Sequence, residues 1–276
     1  VQKVKLNLIR KFIWKISSKN IFKITCPTKD LLVYLKNKNI FDTEKIFYLQ
    51  DSIINVKDFN EKIKFDGIDE SKLKTITNPN YTNILINAIE KKQNIAIFSD
   101  YDVDGAASGA LLHNWLRELG VACTIYIPDR IKEGFGPNIT AMRSLSKTHD
   151  LIICLDSGTV AFESILAAKP TDVIVVDHHL AEENLPDAYA IVNPNRQDEM
   201  GEFKYLCAAG MVFILLVEAN TQLKNNNVKS PNLLKFLDLV ALATIADVAP
   251  LVGLNRAFVK QGLIVMASRT NPSLNS

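Results

Sequence analysis

Five short apolar segments, separated by stretches with helical periodicity, constrain the fold of residues 94–193 more than any other feature of the chain. The segments read NIAIFS, CTIYIP, LIICLD, VIVVD and YAIVN. Each is apolar at consecutive positions and rich in β-branched residues, which is typical of strands buried on both faces. Helix candidates lie at 105–119, 137–147, 160–168, 206–223 and 231–246. The sequence therefore predicts an α/β fold with a doubly wound, mainly parallel sheet flanked by helices.

Composition excludes some classes of protein. No apolar run reaches the roughly 18 residues of a membrane span, because the longest candidate is interrupted by Lys235, Asp238 and Asp247. The four cysteines form no C-x-x-C pair, so we expect a reducing, cytoplasmic location. Residues 1–28 hold seven Lys or Arg and no acid. This basic arm is compatible with a polyanion contact, a targeting segment or a solvated helical face.

Acidic residues follow three of the predicted strands. Asp100, Asp102 and Asp104 come after NIAIFS, Asp156 after LIICL, and Asp177 after VIVV. Because ligands collect beyond the carboxyl ends of parallel strands, we expect these carboxylates to lie at one edge of the sheet. Three acids in one turn repel each other unless a positive charge lies between them.

The type of ligand follows from the residue types. The first turn has neither G-x-G-x-x-G nor a GK[ST] ending, and carboxylates would repel a pyrophosphate, so direct dinucleotide binding is disfavoured. An EF-hand is also disfavoured because a strand precedes the motif and no Glu lies eight residues after Asp104. A pair of divalent cations fits the clustered acids. Carboxylates with imidazole and no thiolate favour Mn²⁺, with Mg²⁺ as the second choice.

Two further elements extend this acidic site. His178 and His179 directly follow Asp177. Adjacent side chains in extended backbone point in opposite directions, so we expect one imidazole on a cation and the other toward a substrate phosphate. Asp247 follows a predicted helix that Pro250 prevents from continuing. A carboxylate at a helix C-terminus is disfavoured by the macrodipole, which a bound cation would offset; the alternative is a solvent-exposed acid.

The motifs DYDVDG, LDSGT, DHH and ATIADVAPL, in this order, resemble those of the DHH phosphoesterase superfamily, in particular its RecJ branch of single-strand-specific exonucleases. IPDRIKEGFGPN, LPDAYAIVNPN and CAAGMVF also resemble segments of that branch, and the resemblance runs from about Ile95 to Met266. It implies six metal ligands, with Asp156 bridging two ions: Asp100, Asp102, Asp104, Asp156, His178 and Asp247. It also implies catalytic roles for Asp100 and His179, and substrate contacts through His179 and Arg130.

The resemblance also implies a function and a domain organisation. The expected activity is metal-dependent 5′ to 3′ hydrolysis of single-stranded DNA in recombination and repair. We divide the chain into a helical N-terminal region at 1–92, a DHH catalytic domain at 93–254, and the start of a connector helix at 255–276. The expected partners are single-stranded DNA and a separate C-terminal domain or a single-strand-binding protein, since family members continue beyond this connector. Alternatives are a hydrolase of small nucleotides and an inactive single-stranded-DNA-binding relative.

Overall fold

The structure is a computed structural model that describes residues 24–26, 46–48, 79–199, 203–271 and 274. The chain divides into two compact units, Val1–Asp66 and Gly67–Ser276. In the first unit, strand β1 (Ile24–Cys26) pairs in parallel with strand β2 (Ile46–Tyr48). The prediction of a helical N-terminal region at 1–92 was wrong at β2, where consecutive β-branched and aromatic residues favour a pleated strand. Residues 1–23, 27–45 and 49–78 of that region lie outside the described residues.

The second unit contains a five-stranded sheet in which every pairing is parallel. Its strands are β3 (Ile95–Ser99), β4 (Cys123–Tyr126), β5 (Leu151–Leu155), β6 (Asp172–Val176) and β7 (Ala190–Val192). The spatial order is β4-β3-β5-β6-β7. The order of connection reverses between β3 and β5, and a crevice forms beyond the carboxyl ends of strands at such a point.

Seven helices are described in this unit. Two of them, Ile139–Ser146 and Phe162–Leu166, cover one face of the sheet, and the others lie on or beyond the opposite face. They are α1 (Pro79–Glu90), α2 (Val103–Glu118), α3 (Ile139–Ser146), α4 (Phe162–Leu166), α5 (Ala208–Asn225), α6 (Leu237–Ala246) and α7 (Gly253–Ala267). A short 3₁₀ turn at Leu233–Phe236 leads directly into α6. No helix among the described residues is long and apolar enough to cross a membrane.

Side chains of the strands alternate between two cores. In β3, Ile95 and Ile97 belong to the core shared with α1, α2, α5 and α6, whereas Ala96 and Phe98 belong to the core shared with α3 and α4. β5 alternates in the same way, and all five of its residues are buried. This confirms the prediction of a parallel sheet covered on both faces. Helix positions were predicted to within two residues, apart from the 3₁₀ start of the last predicted helix.

Candidate metal centre

The candidate site lies at the crevice between β3 and β5. Three neighbouring strands and one helix each end in residues that can bind a cation: Asp100, Asp102 and Asp104 after β3, Asp156 after β5, Asp177, His178 and His179 after β6, and Asp247 after α6. The parallel direction of the strands places their carboxyl ends at the same edge. The topology therefore concentrates acids that are far apart in the sequence.

The turn between β3 and α2 is held by short hydrogen bonds. The Asp102 side chain caps α2 by accepting a hydrogen bond from Gly105 N at 2.9 Å, and Asp100 Oδ1 accepts one from Gly136 N at 3.2 Å. Ser99 Oγ donates to the Gly105 carbonyl at 2.5 Å. A Cβ atom on Gly105 would lie 2.5 Å from the Asp100 carbonyl oxygen, so only glycine fits there. The turn thus fixes both carboxylates relative to the sheet.

Asp104 is anchored at the N-terminus of α5. Its two carboxylate oxygens accept hydrogen bonds from Ala208 N at 2.6 Å and Ala209 N at 2.8 Å, and the residue is 2% exposed. A helix N-terminus offers free N–H groups and a favourable dipole to a carboxylate. Burial raises the pKa of Asp104, although the hydrogen bonds and the charge of His178 oppose that rise. Asp104 is therefore oriented by the main-chain N–H groups of Ala208 and Ala209, about a hundred residues later in the sequence.

Asp156 is the acid whose burial is least compensated by hydrogen bonds. It is 1% exposed and has the left-handed φ of 59°, a conformation that aspartate adopts more readily than most residues. Neither carboxylate oxygen has a hydrogen-bond partner among the described residues, although His178 Nε2 lies 3.2 Å from Oδ1. Burial, the charges of Asp104 and Asp102, and the approach of the Asp102 carboxyl group raise the pKa of Asp156 to about 10. A buried polar group without partners is unfavourable and marks a place for a ligand.

The two histidines lie in a turn and not in extended backbone. Asp177 Oδ1 accepts hydrogen bonds from the main-chain N–H groups of His178 at 2.8 Å and His179 at 3.2 Å. Their ring centroids are 4.6 Å apart. The expectation that adjacent side chains would point in opposite directions was wrong, because this aspartate turns the chain directly after β6. Both imidazoles consequently face Asp156, with His179 Nδ1 at 4.0 Å from its Oδ1.

Asp177 has a different role from the other acids. Its Oδ1 lies 2.8 Å from His179 Nδ1, and its Oδ2 accepts a hydrogen bond from Thr159 N at 3.0 Å. Burial alone would raise the pKa of Asp177, but these hydrogen bonds outweigh it and hold the pKa well below its usual range. The same contact raises the pKa of His179, whose side chain is 60% exposed. Asp177 therefore orients His179 and favours its protonated form.

His178 lies between the remaining acids. Its Nε2 is 3.6 Å from Asp104 Oδ2, and its Nδ1 is 3.9 Å from Asp247 Oδ2. Asp247 is the C-cap of α6, at the place predicted from the sequence. Three groups with donor atoms within 4.8 Å of one another result: Asp100, Asp102 and Asp156; Asp156, His178 and His179; Asp104, His178 and Asp247. The structure thus brings all six predicted metal ligands into one cluster, and His179 joins them.

The donor chemistry of this cluster fits divalent cations. Five carboxylates meet one or two imidazoles, and no described cysteine belongs to any of the three groups. Carboxylate oxygen with imidazole suits Mn²⁺ and Mg²⁺ better than a structural zinc site, which uses thiolates. The unpartnered oxygens of Asp156 are shared between two of the groups. The residues present therefore fit a pair of cations with Asp156 between them.

The predicted substrate contact, Arg130, lies on the exposed loop between β4 and α3. Its guanidinium carbon is 5.1 Å from the centre of the Tyr101 ring, and Tyr101 lies between Asp100 and Asp102 in the chain. On the same loop, the Gly136 N–H contacts Asp100, and Phe135 is 81% exposed. The loop is therefore attached to the acidic turn and carries a cation and an exposed aromatic ring.

Sequence reasoning did not identify two residues that hold the main chain of the two histidines by hydrogen bonds. Asn193 and Asn195 follow β7 and donate hydrogen bonds to the carbonyl groups of His179 and His178, at 2.9 and 2.5 Å. Asn193 also donates to Thr159 Oγ1 at 2.9 Å. The signal was present, because both asparagines belong to the segment LPDAYAIVNPN that carried part of the resemblance. Their role was not apparent from residue type alone.

Fold and site together define a class: a doubly wound α/β domain with a carboxylate and histidine centre at the strand-order reversal. Residues 94–244 match the family model described as "DHH family, N-terminal domain". The match covers more than half of the chain, and the chain belongs to the DHH family. The resemblance inferred from the motifs is thereby confirmed.

Individual relatives point to one branch of the family. The chain is 37% identical over 212 residues to the single-stranded-DNA-specific exonuclease RecJ of Haemophilus influenzae, covering 71% of this chain and 37% of that protein. It is 32% identical over 266 residues to RecJ of Bacillus subtilis, covering 93% of this chain and 31% of that protein. The chain thus spans about a third of the length of these relatives.

Solved structures give the same result. A crystal structure of exonuclease RecJ bound to manganese superimposes with a TM-score of 0.64 at 31% identity, covering 71% of this chain and 50% of that one. RecJ from Thermus thermophilus in complex with Mn²⁺ superimposes with a TM-score of 0.57 at 29% identity, covering 69% of this chain and 27% of that one. Both matches confirm the predicted fold.

Proposed function

We propose that this chain is the catalytic half of a metal-dependent exonuclease that hydrolyses single-stranded DNA from its 5′ end, with a role in recombination and repair. The observation that carries the proposal is the buried, unpartnered carboxylate of Asp156 amid three groups of cation donors. Relatives described as single-stranded-DNA-specific exonucleases share 32–37% identity with it. Because the chain matches only about a third of their length, activity and substrate belong to this proposal.

The cations would be divided between two sets of ligands. One would lie among Asp100, Asp102 and Asp156, and the other among Asp104, His178 and Asp247. Asp156, whose Oδ1 lies 3.2 Å from His178 Nε2, would contribute to both. Mn²⁺ is the preferred ion, because the set includes an imidazole and because the matched RecJ structures are described as manganese-bound. Mg²⁺ is the second candidate on donor chemistry alone.

The side chains of the protein contribute orientation and charge. Two bound cations would supply a water of lowered pKa and neutralise the phosphate charge. His179 is exposed and hydrogen-bonded to Asp177 through Nδ1, so its Nε2 is the ring nitrogen that can donate to a phosphoryl oxygen. The raised pKa of His179 favours the charged imidazolium, which would stabilise negative charge developing on that oxygen.

The loop between β4 and α3 would hold the strand. Arg130 rests on Tyr101, which leaves the edge of its guanidinium group available for a phosphate. Phe135 offers an exposed ring on which a base can stack. The same proposal includes the division of the chain at residues 92 and 254 and a cytoplasmic location. It also includes a partner, which is either a separate C-terminal domain or a single-strand-binding protein.

The experiment uses three substrates and added Mn²⁺. The chain is incubated with 5′-labelled single-stranded DNA, the matched duplex and a dinucleotide, and the release of labelled mononucleotide is measured. We expect cleavage of the single strand, weak cleavage of the duplex, and no activity after chelation. The variant Asp104→Asn should be inactive, and Asp187→Asn, at an exposed ion pair with Lys169, serves as the control.

Three results would contradict the proposal. Cleavage of the dinucleotide alone would assign the chain to the hydrolases of small nucleotides. Metal binding without cleavage of any substrate would assign the chain a binding role. Equal activity of Asp104→Asn and the parent chain would show that hydrolysis does not require the acidic centre.

A further inference from the structure

The segment that follows β7 forms a second layer beneath the two histidines. It contains Asn193, Pro194 and Asn195, and Asn193 is 4% exposed. β7 is the neighbour of β6, so its carboxyl end lies next to the turn that carries His178 and His179. The ladder continues past both strands, because Asp177 N donates to the Val192 carbonyl at 3.0 Å.

Every main-chain polar group of the histidine pair is hydrogen-bonded. Both N–H groups donate to Asp177 Oδ1. The His178 carbonyl accepts a hydrogen bond from Asn195 Nδ2 at 2.5 Å, and the His179 carbonyl accepts one from Asn193 Nδ2 at 2.9 Å. The peptide plane between His178 and His179 is therefore held from both sides and each flanking plane from one side, and the directions of both Cα–Cβ bonds are set by these contacts.

The two asparagines also hold each other. Asn193 Oδ1 accepts a hydrogen bond from Asn195 N at 2.7 Å. Asn193 Nδ2 donates in addition to Thr159 Oγ1, and Thr159 N donates to Asp177 Oδ2. The chain of contacts leads from β7 back to the acid that turns the histidines. Such a network behaves as a unit, and the loss of one member leaves buried partners unsatisfied.

We propose that Asn193 and Asn195 are positioning residues that set the geometry of His178 for binding a divalent cation and of His179 for contacting a substrate phosphate. Neither amide belongs to a donor group of the centre, so they act through the main chain of the histidines. The inference rests on the metal-dependent function proposed above, since it assigns to these residues a role toward the same cations. Residues that orient a metal ligand contribute ~10–100-fold to metal affinity.

Manganese binding is the direct measurement. Free Mn²⁺ is followed by its electron paramagnetic resonance signal during titration of the chain, for the parent, Asn195→Leu and Asn195→Gln. Leucine has the same branching and the same number of side-chain heavy atoms as asparagine but has no donor, whereas glutamine keeps the donor on a longer side chain. We expect Asn195→Leu to weaken Mn²⁺ binding ~10–100-fold and Asn195→Gln to recover part of that loss. Asn225→Leu, at the exposed far end of α5, is the matched control.

The double variant tests whether the asparagines act together. Asn193→Leu should weaken Mn²⁺ binding to a similar degree, and Asn193→Leu with Asn195→Leu should bind little more weakly than the worse single variant, because residues of one network are not additive. If Asn195→Leu binds Mn²⁺ as tightly as the parent, or if leucine is the better replacement than glutamine, the positioning role is overturned even where the melting temperature falls.

The two proposals fail in different ways. A parent chain that binds Mn²⁺ but does not cleave single-stranded DNA refutes the nuclease function and leaves the binding measurements to decide the positioning role. A parent chain that cleaves DNA while Asn195→Leu retains full Mn²⁺ affinity refutes the positioning role and leaves the nuclease function in place.

Discussion

Replacing Asp156 with asparagine should have opposite effects on stability with and without metal. The carboxylate is buried, has no hydrogen-bond partner among the described residues, and lies beside other acids. Asparagine keeps the shape of the side chain and tolerates the positive φ of 59° better than alanine does. Asp156→Asn therefore removes the titrating group without adding backbone strain.

The magnitude follows from the pKa of Asp156. In the metal-free folded state this pKa is raised to about 10 from 3.8, so the folded protein keeps a proton that the unfolded chain has released. Stability then decreases as pH rises between these values, by ~1.36 kcal/mol per pH unit. Between about pH 6 and pH 8 the metal-free parent should lose up to ~2.7 kcal/mol, or roughly 5–11 °C in melting temperature. Asp156→Asn should lose much less over this range.

Manganese should reverse the order of stability. Binding to the folded state contributes about 2.7 kcal/mol when free Mn²⁺ is ~100-fold above its dissociation constant. The parent should therefore gain stability on addition of Mn²⁺, whereas Asp156→Asn should gain little. Thermal melting at the two pH values, with chelator and with Mn²⁺, measures both effects, and Asp187→Asn is the exposed control. Equal Mn²⁺-induced shifts in parent and Asp156→Asn, or a metal-free variant as pH-sensitive as the parent, would refute the reasoning.

Three further predictions concern single groups of the site and its supporting turn. His179→Ala should lower kcat ~100-fold or more while Mn²⁺ affinity stays near that of the parent, and equal losses of both in single-turnover and titration assays would contradict a role on substrate phosphate. Arg130→Ala should raise KM for single-stranded DNA and reduce the salt dependence of binding by about one phosphate contact. The control Lys132→Ala should change both quantities less. Gly105→Ala should destabilise the chain by ~1–3 kcal/mol in denaturant titrations, because its Cβ would meet the Asp100 carbonyl at 2.5 Å. Gly210→Ala, at a helical position where the nearest atom to an added Cβ would be a Leu206 side-chain carbon at 3.6 Å, should be neutral or stabilising.

The sheet was predictable because its strands carry their own signal. Consecutive buried residues such as those of β5 occur only where both faces are covered, and the intervening helices then require parallel connections. Strand β2 was not predictable in this way. Three apolar residues at Ile46–Tyr48 satisfy helical and strand periods equally, and pairing with β1 across about twenty residues decides between them.

The positions of the ligands were predictable for a related reason. An acid directly after a buried strand must lie at the edge of the sheet, so the position of Asp156 could be predicted without knowing its neighbours. The orientation of the histidines was not predictable, because their N–H groups donate to Asp177 and their carbonyl groups accept from Asn193 and Asn195, and only the assembled sheet creates these hydrogen bonds. Residue type fixes what a side chain can bind, whereas the main chain around it fixes where it points.

Hydrogen bonding divides the acids of the centre into two kinds, and this division favours Asp156 as the shared ligand. Asp104 and Asp102 each accept main-chain N–H groups, and Asp100 accepts one from Gly136. Those bonds orient the carboxylates but also occupy part of their capacity to accept. Both oxygens of Asp156 remain available, and burial excludes the water that would otherwise satisfy them. Asp156 would therefore be the carboxylate that contacts both cations, because it is buried between two sets of donors and accepts no N–H group.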